Sequence, residues 1–283
     1  MDRTDAGAAL VGSLLCLGVS GCLTDAGPDA GGELDESEAV IEGPNALLPN
    51  ALVPNALVPN ALVPNALVPN ALSPSTIVPS ALEAIQDPTE TGDLSRALLK
   101  YTVSCALSSS QSFSFTWTDS QGLVHKETYP GIVGLASSWA MKPLGETDQE
   151  WVSACLASRV NWYGVTVMIS SRGSHPALHK SDPSETKAYT MIEGAFWGNV
   201  FAAKPRAYAC FYGPNRPYSR AQRRDCAAGH VEADGTISEC GIIEIVGPCE
   251  AQCQPFKGQG QYYPSCTGPM DTTSSAVLTT FLL

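Results

Sequence analysis

The sequence predicts an α+β fold, a single disulfide-rich domain over residues 93–283 preceded by an extended Pro-rich repeat tether. Three observations predict it. Eight of the ten cysteines fall after residue 104, and an even count in an exported chain reads as disulfides. Helical and strand-like apolar spacings are interspersed there rather than strictly alternating, which favours α+β. Before them, residues 44–83 place a proline at every fifth position, which forbids a regular helix and a central strand.

Taken in order, residues 1–21 have the form of an export signal, with an apolar stretch over 6–19 behind one base, Arg3. The stretch ends in Val19-Ser20-Gly21-Cys22, which resembles the bacterial lipobox. The resemblance implies lipidation of Cys22 and a membrane anchor in the cell envelope, since acyl chains bury about 0.8 kcal/mol per methylene. Residues 22–43 form an acidic linker. Eight pentads follow over 44–83, six of them beginning Pro-Asn-Ala-Leu, and residues 84–92 complete the link. An extended spacer fits the proline spacing. A short pentapeptide-repeat solenoid is the alternative, and the residue two before each Leu is Asn where that family uses a small one.

Charge separates tether from domain. The chain has a formal net charge of -12. Residues 23–95 carry eleven acids and no base, whereas residues 96–283 carry fifteen of each. The domain therefore has no single-sign excess with which to attract a polyanion, and nucleic acid is not an expected partner.

Within the domain, Asp93 to Leu99 has a cap residue and helical spacing. Ser112 to Thr118 alternates Phe113, Phe115 and Trp117 with polar residues, a half-buried strand that Asp119-Ser120-Gln121-Gly122 turns into a second one at 123–128. Thr147-Asp148-Gln149-Glu150 has the form of a capping box opening a helix to about Trp162. Strands are expected over 165–170, 207–212 and 242–246.

The disulfide candidates are Cys105, Cys155, Cys210, Cys226, Cys240, Cys249, Cys253 and Cys266, with the pairing left open. Cys249 and Cys253 also have a spacing zinc sites use, but no matching pair accompanies them. No metal, cofactor or catalytic residue is expected. His175 and His179, with Asp182 or Glu185, fall in a loop marked by Gly173 and Pro176, where helical ligand spacing has no meaning. Glu193-Gly194-Ala195-Phe196-Trp197-Gly198-Asn199 is the most unusual string. Its rings could stack on sugar faces while Glu193 and Asn199 bond hydroxyls, although a buried turn is the commoner use of such rings. Arg172, Arg224 and Asp225 read as surface charges.

The strings Tyr101–Leu107, Trp151–Asn161 and Glu193–Asn199 are similar to predicted lipoproteins of social, predatory soil bacteria, in which Asn-Ala-Leu repeats also precede a Cys-rich domain. The resemblance implies a periplasmic or surface location and nothing catalytic. The expected function is a lipid-anchored, non-catalytic binding module for a glycan or envelope protein, attached to a membrane through Cys22. A disulfide-stabilised extracellular hydrolase using Glu193 and His175, and a structural envelope protein, are the alternatives.

Overall fold

The structure is a computed structural model describing residues 47–48, 64–67, 69–178, 183–256, 261–269 and 272–283, all within one compact unit, Glu42–Leu283. The expected signal sequence, Cys22, the expected acidic linker and most of the earlier pentads lie outside the described residues. The helices and sheets make an α+β fold.

A six-stranded sheet positions everything else. Its order is β1-β4-β12-β5-β6-β9, built from Leu47–Leu48 (β1), Ile169–Arg172 (β4), Leu278–Leu282 (β12), Met191–Asn199 (β5), Arg206–Phe211 (β6) and Ile243–Pro248 (β9). All neighbours run antiparallel except β6 and β9, which are parallel. Residues alternate between the two faces of a strand, and β5 and β6 follow that rule. Phe196, Ala207 and Ala209 join the main core. Ala195, Trp197, Tyr208 and Cys210 join a second cluster on the other face, with Cys249, Tyr263, Cys266 and Val277.

The main core lies under helix α3, Glu146–Arg159, which packs on β5, β6 and β12. From Trp151 to Arg159 every residue of α3 is buried, because helix α2, Glu90–Ala106, covers its other side. The expected capping box is not formed: α3 starts at Glu146 after Gly145, with no side-chain cap bond. The helix stops at Arg159 and not near Trp162, because Val160 turns extended. The expected hairpin is present as β2, Ser112–Thr118, and β3, Val124–Pro130. Phe113 and Phe115 are buried and Trp117 partly so.

The domain boundary expected at residue 93 is misplaced. Leu67, Leu72 and Ile77, the fourth residues of three successive pentads, are buried in the main core. The Leu72 amide donates to the Trp139 carbonyl (2.8 Å), and the Trp139 indole donates to the Asn70 carbonyl (3.2 Å). Among the described residues from Pro64 onward, proline allows no more than a 3-10 turn, Pro64–Ala66, before Pro79, but the period also holds the apolar side chain at one phase every five residues. Helix α1, Pro79–Gln86, then begins with a proline in its first turn, where the missing N–H costs nothing. It buries Ala81 and Ile85 against α2. Thus residues 64–67 and 69–86 are part of the fold, and only 87–89 link the two packed helices.

Arg96 locks that junction. Its guanidinium donates to the carbonyls of Ile85 (3.0 Å) and Asp87 (2.8 Å), pairs with Asp93, and lies 3.7 Å over the Trp117 ring. Gly92 allows the close approach, since a Cβ there would meet the Asp87 carbonyl oxygen at 1.8 Å.

Four disulfides use all eight cysteines of residues 93–283: Cys105–Cys155, Cys210–Cys249, Cys226–Cys240 and Cys253–Cys266. The first joins α2 to α3. Cys210–Cys249 joins β6 to the short helix α6, Cys249–Gln252, and Cys253–Cys266 joins the end of α6 to strand β10, Cys266–Thr267. Strand β10 pairs with β11, Thr273–Ser274. Disulfides in this number point to an oxidising extracellular or periplasmic environment. Among the described residues, no helix is long and apolar enough to cross a membrane.

Candidate functional site

The candidate site is a cleft of about 330 Å³, lined by both polar and apolar surface, where the start of α3 meets the end of β5. That volume is at the small end of ligand sites. Three local features build it. Asn199, at the end of β5, donates to Gln149 Oε1 (3.1 Å) and accepts from the Phe201 amide (2.9 Å), and the Val200 amide donates to Ser153 Oγ (2.9 Å). These bonds fix the first turns of α3 against the strand end. Gly198 sits at φ +125°, and a Cβ on it would meet the Arg206 carbonyl oxygen at 2.4 Å.

Glu146 and Glu150, one helical turn apart, both line the cleft. Arg206 enters from the start of β6, while Thr272, Thr273 and Ser274 supply hydroxyls from β11 and the residue before it. The Trp197 and Tyr208 rings complete the lining, with centroids 5.8 Å apart. The Glu150 carboxyl is held above the ordinary carboxylate range, first by burial and then by the Glu146 charge, while its bond with Ser274 pulls the other way. The buried Trp197 indole N–H has no hydrogen-bond partner. Because both carboxylates come from one helix face, they form one wall and do not flank a substrate as a glycosidase pair does. The chemistry offered is acceptors on one side and a cation with hydroxyls on the other.

The structure scatters the ledge expected from Glu193, Phe196, Trp197 and Asn199. Glu193 is 1% exposed and forms a fully buried ion pair with Arg224 at 2.9 Å. Arg224 also donates to the carbonyls of Val160 (2.9 Å) and Ser158 (2.9 Å), so this pair closes the end of α3. Phe196 packs in the main core and cannot stack on a ligand. Trp197 and Asn199 do reach the cleft. A strand's period of two explains the split, since neighbouring rings in β5 take opposite faces.

Arg172, Arg224 and Asp225 are buried and not surface charges. Arg172 donates to the Tyr189 carbonyl (2.6 Å) and lies 3.7 Å over the Phe281 ring. His175 packs against Trp151, with centroids 5.2 Å apart, and its Nδ1 accepts from the Ala177 amide (3.1 Å). Glu185 accepts from Ser170 (2.6 Å) in the interior. His179 and Asp182 lie outside the described residues. Cys249 and Cys253 are each bonded to a different cysteine.

A second cluster had no visible signal in the sequence. Asp225, 3% exposed, holds His230 Nδ1 at 2.8 Å and accepts from the Tyr163 hydroxyl at 3.0 Å. The His230 ring stacks on Trp162, with centroids 4.3 Å apart and planes 10° from parallel. No spacing rule joins residues 162–163 to 225–230, so only the fold brings them together.

No family model matches the chain, and neither a curated protein nor a solved structure matches it.

Proposed function

We propose that the protein is an exported, lipid-anchored binding module of a bacterial cell envelope, and that its cleft takes a hydroxyl-rich ligand of the glycan class. The observation that carries this is the composition of the cleft: Glu146 and Glu150 as acceptors, Arg206 as a charged donor, and the hydroxyls of Thr272, Thr273 and Ser274, with Asn199 beside them. Carboxylates, amides and guanidinium groups beside ring faces are the usual means of holding sugar hydroxyls. The four disulfides fit export, and Val19-Ser20-Gly21-Cys22 supports an anchor on Cys22.

The test is a glycan-array screen of the oxidised protein, followed by titration of any hit against Glu150→Gln and Arg206→Ala. Binding lost in both variants supports the cleft. Binding that survives both, or an empty array, defeats the glycan assignment. Anchoring is tested separately by Cys22→Ser, which should leave the membrane fraction of a bacterial host. A variant that stays there removes the lipid anchor from the proposal.

A hydrolase is the second reading, and the Asp225–His230 pair favours it. A buried carboxylate that fixes Nδ1 of a histidine is an arrangement used to orient a general base. Hydrolytic activity that disappears in His230→Ala would promote this reading above the first.

A further inference from the structure

Two of the four disulfides are in contact. Cys210 Sγ lies 3.6 Å from Cys253 Sγ, although each is bonded to another cysteine. The sulfurs of Cys210, Cys249 and Cys253 all lie within 4.8 Å of one another. Cys105, Cys155, Cys210, Cys226, Cys240, Cys249 and Cys266 are all buried, and Cys253 alone of the eight is partly open to solvent. A reductant from solution therefore meets Cys253–Cys266 first, and the sulfur it releases stands against the next bond.

We infer that Cys210, Cys249, Cys253 and Cys266 form one thiol-reactive site, which accepts electrons from a dithiol and then exchanges its partners internally. A thiolate of the dithiol attacks Cys253 Sγ, and Cys266 leaves as thiolate. The second thiol of the reductant then displaces Cys253 and closes its own disulfide. Two electrons and two protons have passed to Cys253 and Cys266. The Cys253 thiolate next attacks Cys210 Sγ in line with ordinary exchange chemistry. A Cys210–Cys253 bond forms, the Cys210–Cys249 bond breaks, and Cys249 leaves with the electron pair and takes up a proton. This second step needs no further reductant. The product ties β6 to the end of α6, while β10 loses its tether. Strand β11, paired to β10, carries Thr273 and Ser274 of the cleft, so the exchange releases one wall of that cleft whatever ligand it holds.

The oxidised full-length protein is treated with one equivalent of dithiothreitol, alkylated with N-ethylmaleimide under acid quench, and mapped as peptides. The expected product carries alkyl groups on Cys249 and Cys266 with Cys210 linked to Cys253. Alkylation confined to Cys253 and Cys266, with Cys210–Cys249 intact, overturns the exchange. First opening of Cys105–Cys155 or Cys226–Cys240 overturns the access that it requires. Cys266→Ser gives a second readout without reductant. Its single thiol should label at both Cys253 and Cys249, and label at Cys253 alone counts against exchange.

Discussion

Glu150 stands one helical turn from Glu146 with Ser274 as its partner, and burial and the Glu146 charge raise its carboxyl above the usual range. The folded chain thus holds this proton more tightly than the unfolded chain does. The stability gained from the proton is complete below the ordinary value of about 4.3 and is lost as pH rises through the raised folded value. Glu150→Gln should therefore melt above the parent at neutral pH, by about 1 kcal/mol or less because the group is partly solvated. The difference should close below about pH 4 in paired thermal scans. Equal melting at neutral pH would remove the burial argument. Residues of this kind were only partly legible in the sequence. Trp197 and Asn199 stood out in an odd string and do line the cleft, but Glu146, Glu150 and Arg206 did not stand out at all. Arg224 and Asp225 adjoin in sequence, and neither their burial nor their partners Glu193 and His230 follow from any local period.

The pentads show how one residue type can hide another. Among the described residues of the proline tract from Pro64 onward a single 3-10 turn, Pro64–Ala66, precedes helix α1, which starts where Pro79 can occupy a first turn. The same period carries Leu67, Leu72 and Ile77 into the core, and a spacer with buried leucines is no spacer. Fully burying each such side chain contributes about 1.5–3 kcal/mol. Leu72→Ala should cost about 2–5 kcal/mol in chemical denaturation. A chain beginning at Gly92 loses those three residues together with Ala81 and Ile85. It should melt at least about 10 °C below a chain beginning at Pro64. Matching melting temperatures would mean that the buried leucines add nothing. The hairpin β2–β3 was legible throughout, because alternating rings over seven residues and an Asp-x-x-Gly turn act locally.

At the scale of the whole molecule, the even cysteine count announced four disulfides but not their pairing, which depends on which strands and helices become neighbours. Cys105–Cys155 spans 50 residues because α2 packs on α3, whereas Cys253–Cys266 closes only 13. Intact mass under non-reducing conditions should lie about eight hydrogens below the reduced form. Peptide maps of the untreated protein should contain the four pairs given above and no others. Any other linkage in untreated protein contradicts the arrangement of β6, α6 and β10. The packing of the pentads has one more consequence, for how such a chain can change over generations. Leu47–Leu48 of the first pentad pairs with β4, and the units from Pro64 onward dock in the core. The copies starting at Pro49, Pro54 and Pro59 have the same Pro-Asn-Ala-Leu sequence. Slippage during replication that adds or drops one copy there changes chain length by a whole unit and keeps the Pro-Asn-Ala-Leu phase of every later copy. Such a change falls between β1 and the unit that begins at Pro64, so the phase that carries Leu67, Leu72 and Ile77 into the core is inherited intact.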